Sequence, residues 1–275
     1  MKKLKPKIAI ISLTSCEGCE IAILDLGAKL LEIFKHVELV SFKYMMDFSE
    51  DGQALARFQE CDIAFVEGSP TNKKNVELLM EVRKKAKKVI ALGHCAHLGG
   101  IQKIKNYGDK EKIAKYVYQE YKKIENNDGG GIDKYIKVDG IIPGCPITKE
   151  EFLKFVMDAL AVREFEIEEN PVCYECLNNG HECLLQKGEI CLGPVTLGGC
   201  NAICLKSGQG CWGCRGFLPE VLEAPQSSAP ACADRRDCGG ASGKLKNLRD
   251  KLKQIASEKE IEGVEDVFGL KTNGR

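Results

Sequence analysis

Lys7-Ile8-Ala9-Ile10-Ile11-Ser12-Leu13-Thr14-Ser15-Cys16-Glu17-Gly18-Cys19 is the stretch from which the fold can be read. Lys7 to Leu13 is a short apolar run rich in β-branched residues, which reads as a buried strand ending just before a C-x-x-C pair. Working outward, Glu20 to Phe34 carries apolar residues at helical spacing, and Val37 to Phe42 alternates like a second strand. A helix is expected around Gly52 to Gln59, a strand at Asp62 to Val66, a helix from Asn72 to Lys87 and a strand at Lys88 to Leu92. A last strand, Tyr135 to Ile142, precedes a helix at Lys149 to Ala161. Strands alternating with helices predict an α/β domain built on a doubly wound parallel sheet.

In such sheets the loops that carry chemistry lie beyond the carboxyl ends of the strands. Cys16 and Cys19 follow the first strand, Glu67-Gly68-Ser69 the third, Cys95 the fourth and Cys145 the last, so these four thiols are expected to meet at one edge. Eight more of the fifteen cysteines follow in one short stretch: Cys173, Cys176, Cys183 and Cys191, then Cys200, Cys204, Cys211 and Cys214. Four thiolates suit a cubane iron–sulfur cluster, and three sets of four predict three of them, a chain of redox centres. Residues 171 to 217 are dominated by glycine and cysteine with no regular period, a composition that folds around its metal for want of a core. Zinc is the alternative ligand for C-x-x-C pairs, which would make the chain a zinc-binding interaction module; zinc sites are colourless and iron–sulfur sites brown.

Composition narrows the class. The 275 residues are enough for one full domain and a smaller one, and lysine plus arginine equals aspartate plus glutamate, so no global field favours nucleic acid. The basic start and the apolar run Ile8 to Leu13 superficially resemble a secretory leader, but the run is too short and lacks a small-residue cleavage site. No stretch has the length of a membrane span. Many cysteines without a leader point to a reducing, cytoplasmic setting in which thiols bind metal. Residues 102 to 134, lysine-rich and containing Asp128-Gly129-Gly130-Gly131, read as a surface excursion with one helix near Glu111 to Tyr121. Residues 224 to 243 read as a linker, followed by a helix whose Leu245, Leu248, Leu252 and Ile255 form one stripe, expected to dock on the chain itself.

Seven motifs in order carry a family resemblance: Thr14-Ser15-Cys16-Glu17-Gly18-Cys19, Val66-Glu67-Gly68-Ser69, Gly93-His94-Cys95, Pro143-Gly144-Cys145-Pro146, Pro171-Val172-Cys173-Tyr174-Glu175-Cys176, Cys191-Leu192-Gly193-Pro194-Val195-Thr196 and Cys211-Trp212-Gly213-Cys214-Arg215-Gly216. The chain resembles the small, electron-transferring subunit of nickel–iron hydrogenases, closest to the cytosolic group with sulfhydrogenase delta subunits and the hydrogenases that reduce coenzyme F420 or serve heterodisulfide reductase. The resemblance implies a flavodoxin-like domain over 1–165, a two-cluster iron–sulfur domain over 166–223, and a linker with a C-terminal helix over 224–275. It implies that Cys16, Cys19, Cys95 and Cys145 hold a proximal [4Fe–4S] cluster facing the nickel–iron site of a separate large subunit. The distal cluster would take Cys173, Cys176, Cys183 and Cys191, and the medial cluster Cys200, Cys204, Cys211 and Cys214. Periplasmic relatives have a histidine as first distal ligand and a three-iron medial cluster; Cys173 and Cys204 complete four-thiolate sites here, implying three [4Fe–4S] clusters. Adjacent clusters can exchange a ligand, as in two-cluster ferredoxins, and the C-x-G-P-x-T motif between the blocks favours the sequential partition.

The resemblance makes the chain the electron relay between the large subunit, where dihydrogen is split or formed, and a further iron–sulfur or flavin subunit, with no catalytic residue of its own. A quinone-reducing subunit related to respiratory complex I is the second reading, and the eight cysteines after Pro171 argue against it. Around the proximal set, Gly18, Gly93 and Gly144 either let backbone N–H groups approach the sulfides or are ordinary turn glycines. Glu20 and Glu67 could move protons, but orienting loops or pairing with lysine is the favoured role. His94 and His97 are expected to be surface or core residues, and Trp212 and Arg215 to pack beside the medial cluster. Cys61 is expected to be a small buried apolar residue, and Cys232 and Cys238 to be spare thiols.

Overall fold

In the computed structural model the described residues are 5–45, 59–125, 127–167 and 169–219. The chain divides into two compact units, Met1–Phe165 and a second that begins at Glu166. The first unit holds five strands, β1 (Lys7–Ser12), β2 (Glu38–Ser41), β3 (Cys61–Glu67), β4 (Ala86–Leu92) and β5 (Gly140–Ile142). All pair in parallel in the order β2-β1-β3-β4-β5, the flavodoxin-like doubly wound arrangement. Its helices are α1 (Gly18–Leu24), α2 (Ala28–Phe34), α3 (Lys73–Lys85), α4 (Gly93–Leu98), α5 (Lys110–Val117) and α6 (Lys149–Leu160).

Ile8 to Ile11 of β1 are apolar and buried because both faces of the strand are covered. Ile8 and Ile10 join the core formed with Ile23, Leu30 and Ile33 of α1 and α2 and Phe152 and Phe155 of α6. Ala9 and Ile11 join the opposite core with Leu79 and Val82 of α3. Phe65 of β3, fully buried, anchors the first core, its ring 5.0 Å from Phe152 and 5.3 Å from Phe155. The register aligns Ser12 with Glu67, Glu67 with Leu92 and Leu92 with Ile142, so four strands end on one line.

Three expectations change in detail. The helix expected over Glu20 to Phe34 is two helices, because Gly27 takes a left-handed φ of 55° between them. The last strand joins β4 only from Asp139, whose N–H donates to the Val89 carbonyl at 2.8 Å, and not from Tyr135. The Asp139 carboxylate accepts the Val89 N–H at 2.8 Å, occupying the ladder position on β4, while Ile136 buries itself in the second core. The glycine run at 129–131 is buried rather than exposed: Ser69 Oγ donates to the Gly130 carbonyl at 2.7 Å, and Asn106 Oδ1 accepts the Gly129 N–H at 2.9 Å. Apart from Gln59, the helix expected over Gly52 to Gln59 lies outside the described residues, as do the linker, Cys232, Cys238 and the Leu245 to Ile255 stripe. Cys61 opens β3 and is buried. No described helix is long and apolar enough to cross a membrane.

At the amino end of the sheet, Asp62 accepts from Lys87 Nζ at 2.6 Å and from the Lys7 N–H at 2.8 Å. The hydrogen bond from Lys87 holds its carboxyl below the usual value, against a smaller opposing effect of burial. A depressed carboxyl stabilises the fold above its unfolded value, and that contribution is lost as pH falls through the folded value. Asp62→Asn is therefore expected to lose less stability than the parent between pH 5 and pH 3, by under about 1 kcal/mol because Lys87 is solvated. Denaturant unfolding at the two pH values checks this, and parallel acid profiles would contradict it.

Candidate metal centres

The line of strand ends in the first unit is closed by loops that hold one another. Leu13 N–H donates to the Glu67 carbonyl at 2.8 Å, Ser69 N–H to the Thr14 carbonyl at 2.9 Å, and His94 N–H to the Gly144 carbonyl at 2.7 Å. These bonds join the loops after β1, β3, β4 and β5. Cys16 and Cys145 are exposed, Cys95 is half-buried and Cys19 is buried. Their thiols repel one another electrostatically: Cys19 feels Cys95 and Cys145, Cys95 feels Cys145 and Cys16, and Cys145 feels Cys16. The four predicted residues are thus gathered in one place.

Two glycines shape this place. A Cβ on Gly93, whose φ is 79°, would lie 2.3 Å from Cys19 Sγ, and one on Gly100, φ 58°, would lie 2.4 Å from Cys95 Sγ. Both sulfurs occupy space that any other residue would fill. Gly18 is more relaxed, its Cβ position 3.4 Å from Cys16 Sγ, and Gly144 is needed for its φ of 139° and its close approach to the Pro146 carbonyl. The Gly100 contact was missed from sequence, although the Gly99-Gly100 pair shortly after Cys95 carries a signal for a tight turn.

Glu67, 2% exposed, accepts the N–H groups of Cys19 at 3.3 Å and Glu20 at 3.0 Å, so it orients the C-x-x-C turn. Glu20 is fully buried, and burial raises its carboxyl to about 7, opposed by Lys43 Nζ at 3.5 Å. Glu17 adopts a left-handed φ of 65° between Cys16 and Gly18, and its carboxylate is held by Lys43 and Tyr44. Lys43 was not recognised from sequence because it lies far along the chain. The His97 imidazole, half-buried, is pushed down to about 4 by burial.

The second unit contains α7 (Val172–Asn178) and α8 (Ile203–Lys206). Its small core is rich in cysteine: Val172, Leu184, Ala202 and Leu205 pack with Cys191 and Cys211, flanked by Cys176, Cys200 and Cys204. Cys173 interacts with Cys191, Cys176 and Cys183, and also with Cys211 of the other set. Cys211 lies beside Cys214 and also beside Cys191, whose Sγ accepts the Cys211 N–H at 3.2 Å, so the two sets touch. Gly193 leaves room for Cys173 and Cys191, whose sulfurs would be 3.2 and 3.4 Å from an added Cβ. Arg215 is buried, its Nε donating to the Gly198 carbonyl at 2.5 Å; Trp212 is exposed, not packed as expected.

Burial, reinforced by neighbouring thiols, pushes Cys95 up to about 11 and Cys173 up to about 12, and burial pushes Cys211 up to about 12. Thiols packed this way ionise together only when a cation compensates them, which is the donor chemistry of a cluster site. Among the described residues, no three His, Cys, Asp or Glu side chains close tightly enough to share one metal ion. A concavity of about 1300 Å³ opens at the amino end of the sheet, lined by Lys7, Lys35 and Lys87 among others.

Comparison with known proteins agrees with this fold. Residues 16–159 match the family described as NADH ubiquinone oxidoreductase, 20 Kd subunit. The chain is 36% identical over 212 residues to the sulfhydrogenase 2 subunit delta of Pyrococcus furiosus, covering 76% of this chain and 86% of that one. It is 32% identical over 264 residues to a subunit of the F420-non-reducing hydrogenase vhu of Methanocaldococcus jannaschii, covering 85% and 90%. Among solved structures, a chain of an NAD+-reducing [NiFe]-hydrogenase in the H2-reduced state superposes with a TM-score of 0.52 at 29% identity, over 60% of this chain and 96% of that one. The [NiFeSe] hydrogenase of Desulfovibrio vulgaris Hildenborough shares the fold, with a TM-score of 0.53 at 17% identity over 78% of this chain and 94% of that one. The chain belongs to the family of the 20 kDa subunit of NADH–ubiquinone oxidoreductase, among the hydrogenase small subunits within it.

Proposed function

We propose that this chain is the electron-transfer small subunit of a cytoplasmic nickel–iron hydrogenase, relaying electrons between the nickel–iron site of a partner large subunit and a further iron–sulfur or flavin subunit. Cys16, Cys19, Cys95 and Cys145 would hold the proximal [4Fe–4S] cluster. Cys173, Cys176, Cys183 and Cys191 would hold a second, and Cys200, Cys204, Cys211 and Cys214 a third. Bound clusters of this kind accept and release single electrons at potentials set by hydrogen bonding, charge and exposure. The protein's part is to hold the thiols, donate N–H groups to them and exclude side chains, as Gly93 and Gly100 do.

The observation that carries this reading is the meeting of four thiols from the segments that follow β1, β4 and β5, Cys19 and Cys95 in the first turns of α1 and α4. Cys16 and Cys145 are exposed there, where a partner can reach them. A quinone-reducing subunit of the complex I type accounts for the first unit but leaves the eight cysteines of the second without a role. Anaerobically purified protein is expected to be brown and to contain about twelve iron and twelve sulfide per chain. Far fewer of each, or a colourless zinc-loaded protein, would refute the assignment.

A further inference from the structure

We propose that Glu175 is a positioning residue for the third thiol set, its carboxylate clamping the strained loop that carries Cys200 to the helix that carries Cys173 and Cys176. The inference rests on the cluster reading above.

The loop from Gly199 to Ala202 is unusual in its backbone. Gly199, Asn201 and Ala202 have φ values of 109°, 57° and 48°, and two of these residues carry side chains. Left-handed conformation is unfavourable for such residues and persists only where surrounding contacts impose it. The contacts here come from α7. Glu175 Oε1 accepts the Gly199 N–H at 2.6 Å, Oε2 accepts the Ala202 N–H at 3.1 Å, and Oε2 lies 3.8 Å from Cys200 Sγ. A turn with left-handed residues directs backbone N–H groups into a concavity that favours an anion, and the Glu175 carboxylate fills that concavity.

One helical turn on, Asn179 Nδ2 donates to the Asn201 carbonyl at 3.1 Å and to Asn201 Oδ1 at 2.8 Å. Behind the loop, Gly198 N–H donates to the Asn170 carbonyl at 2.7 Å and its own carbonyl accepts from buried Arg215. Glu175 stands between the cysteines of the Cys173-x-x-Cys176 pair, so one short segment carries thiols of the second set and the clamp for the third. The C-x-x-C spacing requires a residue at this position, and a carboxylate there has no duty toward its own pair. Its partners are in the other set.

The test compares Glu175→Ala and Glu175→Gln with the parent, each as the full chain in its anaerobically purified complex. Iron release to a chelator is followed together with the paramagnetic signals of the reduced clusters. Glu175→Ala is expected to release about four of roughly twelve iron atoms at least tenfold faster than the parent, the range seen when a residue supporting metal ligands is lost. The other eight should leave at the parent's rate. Glu175→Gln, which keeps one acceptor oxygen, should lie between the two. Parent-like release and spectra in both variants would overturn the proposal. So would equal loss of all eight iron atoms of the second unit in both, since that is collapse of the unit rather than misplacement of Cys200. A parent without iron would remove the cluster reading itself, whereas a loaded parent with indifferent variants removes only the role of Glu175.

Discussion

Gly93→Ala is expected to destabilise the first unit by about 2–5 kcal/mol and to deprive the chain of about four iron atoms. Two effects add. The φ of 79° costs an alanine about 1–2 kcal/mol, and the new methyl would lie 2.3 Å from Cys19 Sγ and 3.3 Å from the Gly144 carbonyl. Forcing an extra methyl into a packed site adds typically about 1–3 kcal/mol. The neighbours have little freedom to retreat, because Cys19 N–H is held by Glu67 and the Gly144 carbonyl by His94 N–H. Gly27→Ala serves as the comparison: its φ is also left-handed, at 55°, but nothing lies within 4 Å of the added methyl. It should cost only the backbone term and leave iron content unchanged. Unfolding midpoints and iron assays on both variants check this, and equal behaviour of the two would show that the Cys19 sulfur is not confined as described.

Cys95→Ser is expected to cut dye-linked hydrogen oxidation by the purified complex at least tenfold, equivalent to about 1.4 kcal/mol or more on the limiting step. Hydrogen–deuterium exchange at the partner subunit's own site should continue. Cys95, the proposed ligand in the first turn of α4 after β4, lies beside Cys16, Cys19 and Cys145 in the electrostatics of the site, and no other described thiol stands ready to replace it. Cys61 lies at the opposite end of β3, six residues before Glu67. Full dye-linked turnover in the variant would remove Cys95 from the relay. Loss of both turnover and exchange would place the damage in the partner rather than in electron transfer.

Much of the first unit was legible from residues alone because a doubly wound sheet is locally encoded. Apolar runs of strand length mark β1, β3 and β4, helical spacing marks α3 and α6, and the strand–helix alternation permits little but a parallel sheet. The rule that ligands gather beyond the strands' carboxyl ends then brings Cys16, Cys19, Cys95 and Cys145 together from strand order alone. For the second unit the proposed chemistry rests on cysteine spacing instead, since that segment has no periodicity to read.

What the sequence determined by itself was therefore the parallel α/β sheet and the placement of Cys16, Cys19, Cys95 and Cys145 after its strands. Tertiary structure decided the details in which a residue's role depends on a neighbour distant in the chain. Gly27 splits a helix, Asp139 shortens β5 by bonding Val89, and Ser69 draws the glycine run at 129–131 into the interior. Gly100 makes room for the Cys95 sulfur, Glu67 orients the turn at Cys19, and Glu175 grips the Cys200 loop from the preceding thiol set. Periodicity and motif spacing report which face a residue turns toward the core or a metal. They carry no record of which distant backbone N–H, carbonyl or sulfur will meet it, because that pairing exists only once the layers have packed.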